Sequence, residues 1–418
     1  MEKQLKLGLI GFGVVGEGVY HVINNTPSLN ASIKKIVIKH PEKLRNAPKD
    51  LFTTNIDEIL LDSEIDVVVE LIDDAIVSFQ IVKSAMQNGK HIVSANKKMI
   101  AYHLEELIAL QRKYQVSFLY EGAVCGSIPI IRNLEEYFDN DLLNSISGIV
   151  NGSTNFILTN IVEKGLTYHD ALKLAQDLGF AESNPMLDVE GIDAVNKLCI
   201  LLKHTFGIHV LPSEILHKGI SQIHENDYQF AFEKGYEIKL VANAFRISDN
   251  EVVSYVLPEF VKPGQQLFQV KNEYNGVLLS STLSDEQFLY GKGAGRYPTS
   301  SAVISDIAAL RYGYKYEYKK SKYVSPYHIT SKSLLTIYIS YSIDTEIDEH
   351  DFDTIFERHA SAERCYIIGE MQLEKLIQSR WIHDSKSSLI VFGNQSTKRK
   401  QSIAIDSINF ITPTLAYA

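Results

Sequence analysis

The stretch LKLGLIGFGVVGEGVYHVINN, residues 5–25, decides the fold. Its apolar run Leu5–Ile10 predicts a strand, Gly11-x-Gly13-x-x-Gly16 predicts a tight turn, and Val14–Asn24 predicts a helix. Such glycines let the backbone approach a diphosphate closely, and the amino end of the helix offers N–H donors and a positive dipole. The stretch therefore favours a dinucleotide-binding turn over a strand–helix turn without a ligand.

Strand and helix patterns alternate through residues 1–132. The later strand patterns are Lys35–Lys39, Asp66–Leu71, His91–Ser94 and Val116–Tyr120, and the helix patterns include Ile76–Asn88 and His103–Tyr114. Asp66–Leu71 is nearly all apolar, as expected of a strand that is covered on both faces. We therefore predict an α/β fold whose first unit is a Rossmann-type, doubly wound nucleotide-binding domain.

The remaining sequence predicts two further units. Residues 133–297 mix helix and strand patterns, which favours an α+β domain, and a helix is expected over 298–312. The Tyr- and Lys-rich stretch 312–323 favours a linker or a surface strand. Residues 325–418 alternate again, with a predicted helix at Phe352–His359, and favour a small C-terminal α/β domain.

Composition limits the possible partners and the compartment. The chain has 418 residues, 45% hydrophobic and 22% charged, which is typical of a globular protein with a large core. Its net charge of −10 argues against nucleic acid binding, since phosphate contacts need a basic face. Cys125, Cys199 and Cys365 form no disulfide or zinc pattern, and no signal segment or membrane span is evident. We therefore expect a cytoplasmic protein.

Lys39 stands at the end of the second predicted strand, where an acidic residue would bind the 2′-hydroxyl of NAD. Lys43 and Arg45 follow, and such a basic group would attract a 2′-phosphate. NADP is therefore the favoured cofactor. The neighbouring Glu42 leaves NAD open, and a solvated basic loop is the alternative interpretation.

Asp193 and Lys197 lie four residues apart on a predicted helix and share one face. From the spacing alone, a surface ion pair is the favoured interpretation. However, Glu182, Asp188 and Glu190 lie just upstream, and a carboxylate loop beside an acid–lysine face is suited to holding an α-amino group and moving a proton. Lys97, at the carboxyl end of a predicted strand, is a further ligand-binding candidate.

Six motifs together resemble the homoserine dehydrogenases over residues 5–312. They are SANKK at 94–98, YEGAVCGSIPI at 120–130, IVNGSTNFILT at 149–159, AQDLGFAE at 175–182, DVEGIDAVNK at 188–197 and GKGAGRYPT at 291–299. The resemblance implies NAD(P)-dependent interconversion of L-homoserine and L-aspartate 4-semialdehyde, by hydride transfer with lysine acid–base catalysis. It also implies a place in threonine and methionine biosynthesis.

The resemblance assigns roles to individual residues. Lys197 matches the principal acid–base lysine, and Lys97 matches the second active-site lysine, which also contacts the cofactor. The expected substrate-binding residues are Glu182, Asp188, Asp193 and Gly179. The expected cofactor-binding residues are Gly11, Phe12, Gly13, Val14, Val15, Gly16, Lys39, Lys97, Gly293 and Gly295.

The resemblance further implies a sodium site and an oligomer. Glu121, Val124, Gly126 and Ile128 match a sodium site built mostly of backbone oxygens. The sheet of the middle domain would build a homodimer or homotetramer, and the helix at 298–312 would pack back on the nucleotide domain.

The chain also departs from the family pattern. Asp73-Asp74 replaces a Gly-Gly pair, and two carboxylates near a diphosphate would repel it. The tail alternates like a regulatory βαββαβ domain but lacks its Asp-x-Pro-Gly turn, so a degenerate regulatory domain is expected. Two alternatives stay open: a catalytically weakened, NADP-binding regulatory homologue, and a dehydrogenase for another amino-acid aldehyde.

Overall fold

Six parallel strands form the first of two sheets in the computed structural model, which describes residues 4–140, 142–323, 327–361 and 364–393. The strands are β1 (Leu5–Ile10), β2 (Ala31–Val37), β3 (Phe52–Thr53), β4 (Val67–Glu70), β5 (His91–Ser94) and β6 (Phe118–Leu119). They lie in the order β3-β2-β1-β4-β5-β6, and every pairing is parallel. The order reverses direction between β1 and β4, which is where open α/β sheets bind ligands.

Four helices connect these strands. They are α1 (Val14–Asn25), α2 (Asp57–Leu60), α3 (Ala75–Gln87) and α4 (Lys97–Tyr114). Strand β4 reads VVVE and is buried along its whole length, because helices cover both faces of a parallel sheet. The predicted Rossmann-type α/β fold is confirmed.

The second sheet has eleven strands within the described residues. The strands are β7 (Leu143–Ile149), β8 (Leu216–His217), β9 (Glu237–Arg246), β10 (Glu251–Val261), β11 (Tyr274–Ser281), β12 (Asp285–Lys292), β13 (His328–Ile329), β14 (Leu334–Tyr341), β15 (Thr354–Ala360), β16 (Cys365–Gln372) and β17 (Ser387–Phe392). The main path runs β12-β11-β7-β9-β10-β17-β14-β16-β15, and β8 and β13 both pair with β10.

Nine further helices complete the described chain. They are α5 (Ile130–Arg132), α6 (Gly152–Lys164), α7 (Tyr168–Asp177), α8 (Met186–Val189), α9 (Ile192–Phe206), α10 (Glu225–Glu233), α11 (Arg296–Leu310), α12 (Lys319–Tyr323) and α13 (Leu373–Gln378). Helix α11 packs against α1: Ser300 Oγ donates to the carbonyl of Val15 at 3.1 Å, and Gly18 of α1 leaves the space that Ser300 occupies.

Two predictions for the last quarter of the chain are wrong. The predicted helix Phe352–His359 is largely strand β15, which pairs antiparallel with β16. The stretch 312–323 is neither a linker nor a surface strand, since Tyr316 and Tyr318 are only 1% and 2% exposed and Lys319–Tyr323 is helical. Backbone pairing in the first case and long-range aromatic packing in the second override the local pattern.

The C-terminal strands do not stand apart from the middle sheet. Glu259 and Phe260 of β10 pair in parallel with Val391 and Phe392 of β17, so β14–β17 continue the same sheet. The division into domains at 132, 297 and 325 stays a prediction, and residues 394–418 of the last unit lie outside the described residues. Across the described part of the chain, no helix is both long and apolar enough to cross a membrane.

Candidate active site

The glycine turn after β1 has the shape that a diphosphate requires. Gly11 has a φ of +98°, and a Cβ added to it would lie 2.9 Å from the carbonyl oxygen of Leu71. A Cβ on Gly16 would lie 2.6 Å from the carbonyl oxygen of Gly11. Within the described residues, a Cβ on Gly13 would meet open space, and no side chain caps the amino end of α1. The free N–H groups and the close glycine contacts fit the diphosphate of a dinucleotide.

The other predicted cofactor residues surround this turn. Phe12 packs edge-on against Phe52, with ring centroids 5.1 Å apart, while Val14 is 61% exposed at the start of α1. Lys39 is exposed just beyond β2, and the Arg45 guanidinium lies 5.7 Å from the centre of the Phe52 ring. A basic, open surface therefore adjoins the glycine turn on the side of β2.

Helix α9 carries Asp193 and Lys197 into the interior rather than to the surface. Every residue of α9 after Ile192 is buried, because the helix packs between α4 and the second sheet. The side chains of Asp193 and Lys197 are only 5% and 9% exposed. The surface ion pair that spacing alone favours is therefore wrong: this pair is buried.

Asp193 is the centre of the site, because two lysines approach its two carboxylate oxygens. Lys197 Nζ lies 2.6 Å from Oδ2, and Lys97 Nζ lies 3.2 Å from Oδ1. Lys197 Nζ also donates to the carbonyl of Val150 at 2.7 Å. Lys97 starts α4 at the end of β5 and is 47% exposed, so one lysine is buried and the other faces the open side.

Charge and burial oppose each other at Asp193. Burial would raise the pKa of Asp193, but Lys197 and Lys97 outweigh it and hold that pKa well below its usual range. The Asp193 carboxylate in turn raises the pKa of Lys97. The site therefore keeps an ionised carboxylate and a charged Lys97 beside it at neutral pH.

Asn151, which the sequence did not single out, organises the carboxylates. Its Nδ2 donates to Asp188 at 2.7 Å and to Asp193 at 2.9 Å, while its Oδ1 caps α6 by accepting from the N–H of Thr154. Burial and the charge of Asp193 raise the pKa of Asp188. The residue lies in the quoted motif 149–159, and its place just before a helix indicated only a cap.

The structure separates the predicted substrate carboxylates into three groups. Asp188 and Asp193 meet through Asn151, whereas Glu190 turns away and accepts from Ser221 Oγ at 2.5 Å. Glu182 is exposed, and no hydrogen bond or ion pair within the described residues involves its carboxylate. The loop from Gly179 to Glu182 is held near the start of α6 by Ser153 Oγ, which donates to the carbonyl of Phe180 at 2.6 Å.

The second glycine-rich segment lies where β12 leads into α11. Gly295 has a φ of +113° and precedes the first residue of α11. A Cβ on Gly293 would lie 2.2 Å from the side-chain amide of Asn275, so only glycine fits there. Gly293 also lies against Gly126, which brings this segment to the predicted sodium loop.

The sodium loop offers main-chain oxygens more readily than a carboxylate. Both carboxylate oxygens of Glu121 are already used, since they accept the N–H groups of Ile131 and Arg132 at 2.9 Å. Cys125 and Gly126 are both left-handed, with φ of +54° and +51°, which turns successive peptide groups in the loop. Among the other predicted ligands, the Ile128 carbonyl already accepts the N–H group of Ile130 at 2.8 Å, so the carbonyl oxygens of Val124 and Gly126 are the ones that fit a hard cation in this loop.

The two aspartates that replace Gly-Gly have different environments. Asp74 caps α3, with Oδ1 accepting the N–H groups of Ile76 and Val77 at 3.0 Å. Asp73 is exposed at the carboxyl end of β4. Only the carboxylate of Asp73 is thus free to repel a diphosphate, because the carboxylate of Asp74 is bound to the N–H groups of α3.

Comparisons with known proteins agree along the chain. Residues 11–121 match the family model described as the NAD-binding domain of homoserine dehydrogenase, and residues 129–308 match the model described as homoserine dehydrogenase. The homoserine dehydrogenase of Bacillus subtilis strain 168 is 37% identical over 346 residues, which is 80% of each chain.

Solved structures give the same result. A homoserine dehydrogenase from Thiobacillus denitrificans superposes with a TM-score of 0.81 at 28% identity, covering 93% of this chain and 98% of that one. A mutant of a hyperthermophilic archaeal homoserine dehydrogenase, solved in complex with NADPH, has a TM-score of 0.64 at 23% identity over 75% of this chain and 99% of that one. The second likeness is one of fold.

Proposed function

Since this chain belongs to the homoserine dehydrogenase family of nicotinamide-dependent oxidoreductases, we propose that it interconverts L-homoserine and L-aspartate 4-semialdehyde, with Lys197 as the acid–base residue and Lys97 as its partner. The observation that carries the assignment is the pair of lysines on the two oxygens of the buried Asp193. The proposed setting is the synthesis of threonine and methionine.

Lys197 has one donor to spare for the substrate. An ammonium group has three N–H donors, and two of them point to Asp193 Oδ2 and the carbonyl of Val150. The third would protonate the substrate oxygen in the reducing direction, while the bonds to Asp193 and Val150 hold the ammonium group in place. Bound nicotinamide would supply or accept the hydride.

The carboxylates have a separate task, which is to hold the substrate ammonium. Asp188 accepts a hydrogen bond from Asn151 and lies near enough to Lys97 to raise its pKa, while Glu182 is exposed on the neighbouring loop. Two carboxylates around an α-amino group would orient the C4 carbon toward the lysines. Gly179, with a φ of +77°, would shape the loop that brings Glu182 to the substrate.

For the cofactor we propose NADP, held by the glycine turns at 11–16 and 293–295, with Lys39 on the 2′-phosphate. The exposure of Lys39 and the lack of an acidic residue at the end of β2 support this choice. We also propose a sodium ion at the loop 121–128 and a homodimer or homotetramer built on the middle sheet. Both proposals rest on the family resemblance. The sodium ion is also supported by the left-handed backbone at Cys125-Gly126.

The test is homoserine oxidation by the purified protein with NADP and with NAD, followed by absorbance of the reduced cofactor. We expect turnover that favours NADP and a fall of at least about 100-fold in kcat for Lys197→Ala. Lys203→Met is the matched control, because Lys203 is buried on the same helix but pairs with Glu105, away from the site.

Each other outcome points to a defined alternative. Turnover that favours NAD would keep the enzyme and remove the role given to Lys39. NADPH binding without turnover of homoserine would favour the catalytically weakened regulatory homologue. Turnover of a different amino-acid aldehyde would favour a dehydrogenase for that aldehyde. Equal activity of Lys197→Ala and the wild type would contradict the proposed mechanism.

A further inference from the structure

Asp73 lies between the glycine turn and Lys97. On one side, a Cβ on Gly11 would lie 3.0 Å from Ile72 Cγ2, so the residue before Asp73 touches the glycine turn. On the other side, Asn96 Nδ2 donates to the carbonyl of Ile72 at 2.9 Å, and Asn96 directly precedes Lys97. Asp73 thus directly follows a residue that contacts both the glycine turn and the residue before Lys97.

The carboxylate of Asp73 is available to a ligand. Its neighbour Asp74 is bound to the N–H groups of α3, whereas Asp73 is exposed and has no hydrogen bond or ion pair with any other part of the described chain. The pKa of Lys97 is raised mainly by Asp193, with smaller contributions from Asp188 and Asp73. Asp73 therefore faces the same open space as Lys97 without being joined to it.

A dinucleotide bound between the glycine turn and Lys97 would pass Asp73 with one of its riboses. Residues 11–16 would hold the diphosphate and Lys97 would lie near the nicotinamide, so the ribose between them would be the one that carries the nicotinamide. Its two hydroxyl groups are hydrogen-bond donors, and an ionised carboxylate is an acceptor only. A diphosphate would instead need donors, which the amino end of α1 offers.

We propose that Asp73 is a further cofactor-binding residue, whose carboxylate accepts hydrogen bonds from the hydroxyls of the nicotinamide ribose. The inference rests on the proposed function, since it takes the glycine turn and Lys97 as the two ends of the cofactor site. It reverses the expectation of simple repulsion at this position and makes Asp73 a determinant of cofactor affinity in this chain.

The experiment compares three probes on the full-length protein: NADPH, reduced nicotinamide mononucleotide and 2′,5′-ADP. Dissociation constants are measured by fluorescence or calorimetry for the wild type, Asp73→Asn and Asp73→Ala. We expect both variants to bind NADPH and the mononucleotide about 10- to 100-fold more weakly, because a hydrogen bond to a charged group is lost. Binding of 2′,5′-ADP, which lacks that ribose, should not change.

Asp74→Ser is the matched control, because serine also caps a helix and the Asp74 carboxylate is bound to N–H groups of α3. Its NADPH affinity should equal that of the wild type. Tighter NADPH binding by Asp73→Asn, or an equal effect on 2′,5′-ADP, would overturn the inference in favour of general repulsion. If the wild type binds NADPH but does not oxidise homoserine, only the proposed function is contradicted. If it binds none of the three probes, the proposed function and the role of Asp73 are both contradicted.

Discussion

The ammonium group of Lys197 lies 2.6 Å from Oδ2 of Asp193, one helical turn earlier on a helix that is buried on all sides. Burying two charges is costly unless they are paired and their remaining donors and acceptors are bonded. Here the carbonyl of Val150, the amide of Asn151 and the ammonium of Lys97 supply those bonds. Such a set resembles a site built for proton transfer more than a structural ion pair.

Asp193→Asn should reduce kcat by about 100-fold while the overall fold is kept, because the variant removes the charge but preserves the shape. The pH profile gives a sharper test. Asp193 raises the pKa of Lys97, so without it that pKa falls, and in the reducing direction, which needs charged lysines, the alkaline loss of activity should begin at a lower pH. The measurement is kcat/KM between about pH 7 and 11.

The control for this variant is Asp177→Asn, at the exposed end of α7. It should leave both the rate and the pH profile unchanged. If Asp193→Asn lowered kcat but kept the alkaline limb of the wild type, Lys97 would not be the group that titrates there.

Asn151→Ser separates the two tasks of Asn151. Serine is a good helix cap, so α6 should keep its start, but a serine hydroxyl has a single hydrogen to donate and cannot bond both Asp188 and Asp193. We expect the KM for homoserine to rise by about tenfold or more, with NADPH affinity unchanged, because the substrate carboxylates lose their spacing.

The matched control is Asn160→Ser, since Asn160 is buried on the same helix and its amide donates to the carbonyl of Phe156, within the helix itself. A change in NADPH affinity for Asn151→Ser, with the KM for homoserine unaltered, would assign Asn151 to the cofactor instead.

The sequence predicted what local pattern determines. The turn at Gly11–Gly16 and the shared face of Asp193 and Lys197 follow from spacing, and the structure has both. The spacing could not predict that this face is buried, because its burial depends on packing against α4, which begins at Lys97 and is distant in the chain. Strand β15 was missed for a related reason: its sequence fits a helix, and only pairing with β16 makes it a strand.

Lys39→Ala should weaken NADPH binding by about tenfold and leave NADH binding unchanged, because only NADPH carries the 2′-phosphate. The effect should shrink at high salt, since Lys39 is exposed and its charge is screened. Dissociation constants for both cofactors, measured at low and high ionic strength, test this.

Lys49→Ala, which removes another exposed lysine before β3, is the control and should change neither affinity. If Lys39→Ala weakened both cofactors equally, the residue would act on a part that they share, and the preference for NADP would need another source.

The stretch 312–323 is tied to the core through Glu135. The Oε2 of Glu135 accepts the N–H groups of Glu317 and Tyr318 at 3.1 Å, and its Oε1 lies 2.7 Å from His204 Nδ1 on α9. The hydroxyl of Tyr120 then links His204 Nε2, at 2.8 Å, to the hydroxyl of Tyr318, at 3.0 Å. Through these bonds, the stretch 312–323 contacts both Tyr120, which follows β6, and α9, the helix that carries Lys197.

Glu135→Gln should lower the free energy of unfolding by about 2 kcal/mol at pH 7, since hydrogen bonds to a buried charge are lost.

Burial would raise the pKa of Glu135, but His204 and the Tyr318 N–H outweigh it and lower that pKa. A carboxyl whose pKa falls on folding stabilises fully above its unfolded pKa, about 4.3, and the stabilisation is lost as the pH falls toward the folded pKa. The difference in the free energy of unfolding between the wild type and the variant, measured with urea, should therefore be constant near neutrality and become smaller below about pH 4. Glu106→Gln, whose exposed carboxylate lies 2.8 Å from Lys83, should change stability by less than about 0.5 kcal/mol, and an equally small effect of Glu135→Gln would mean that 312–323 is not held by the core.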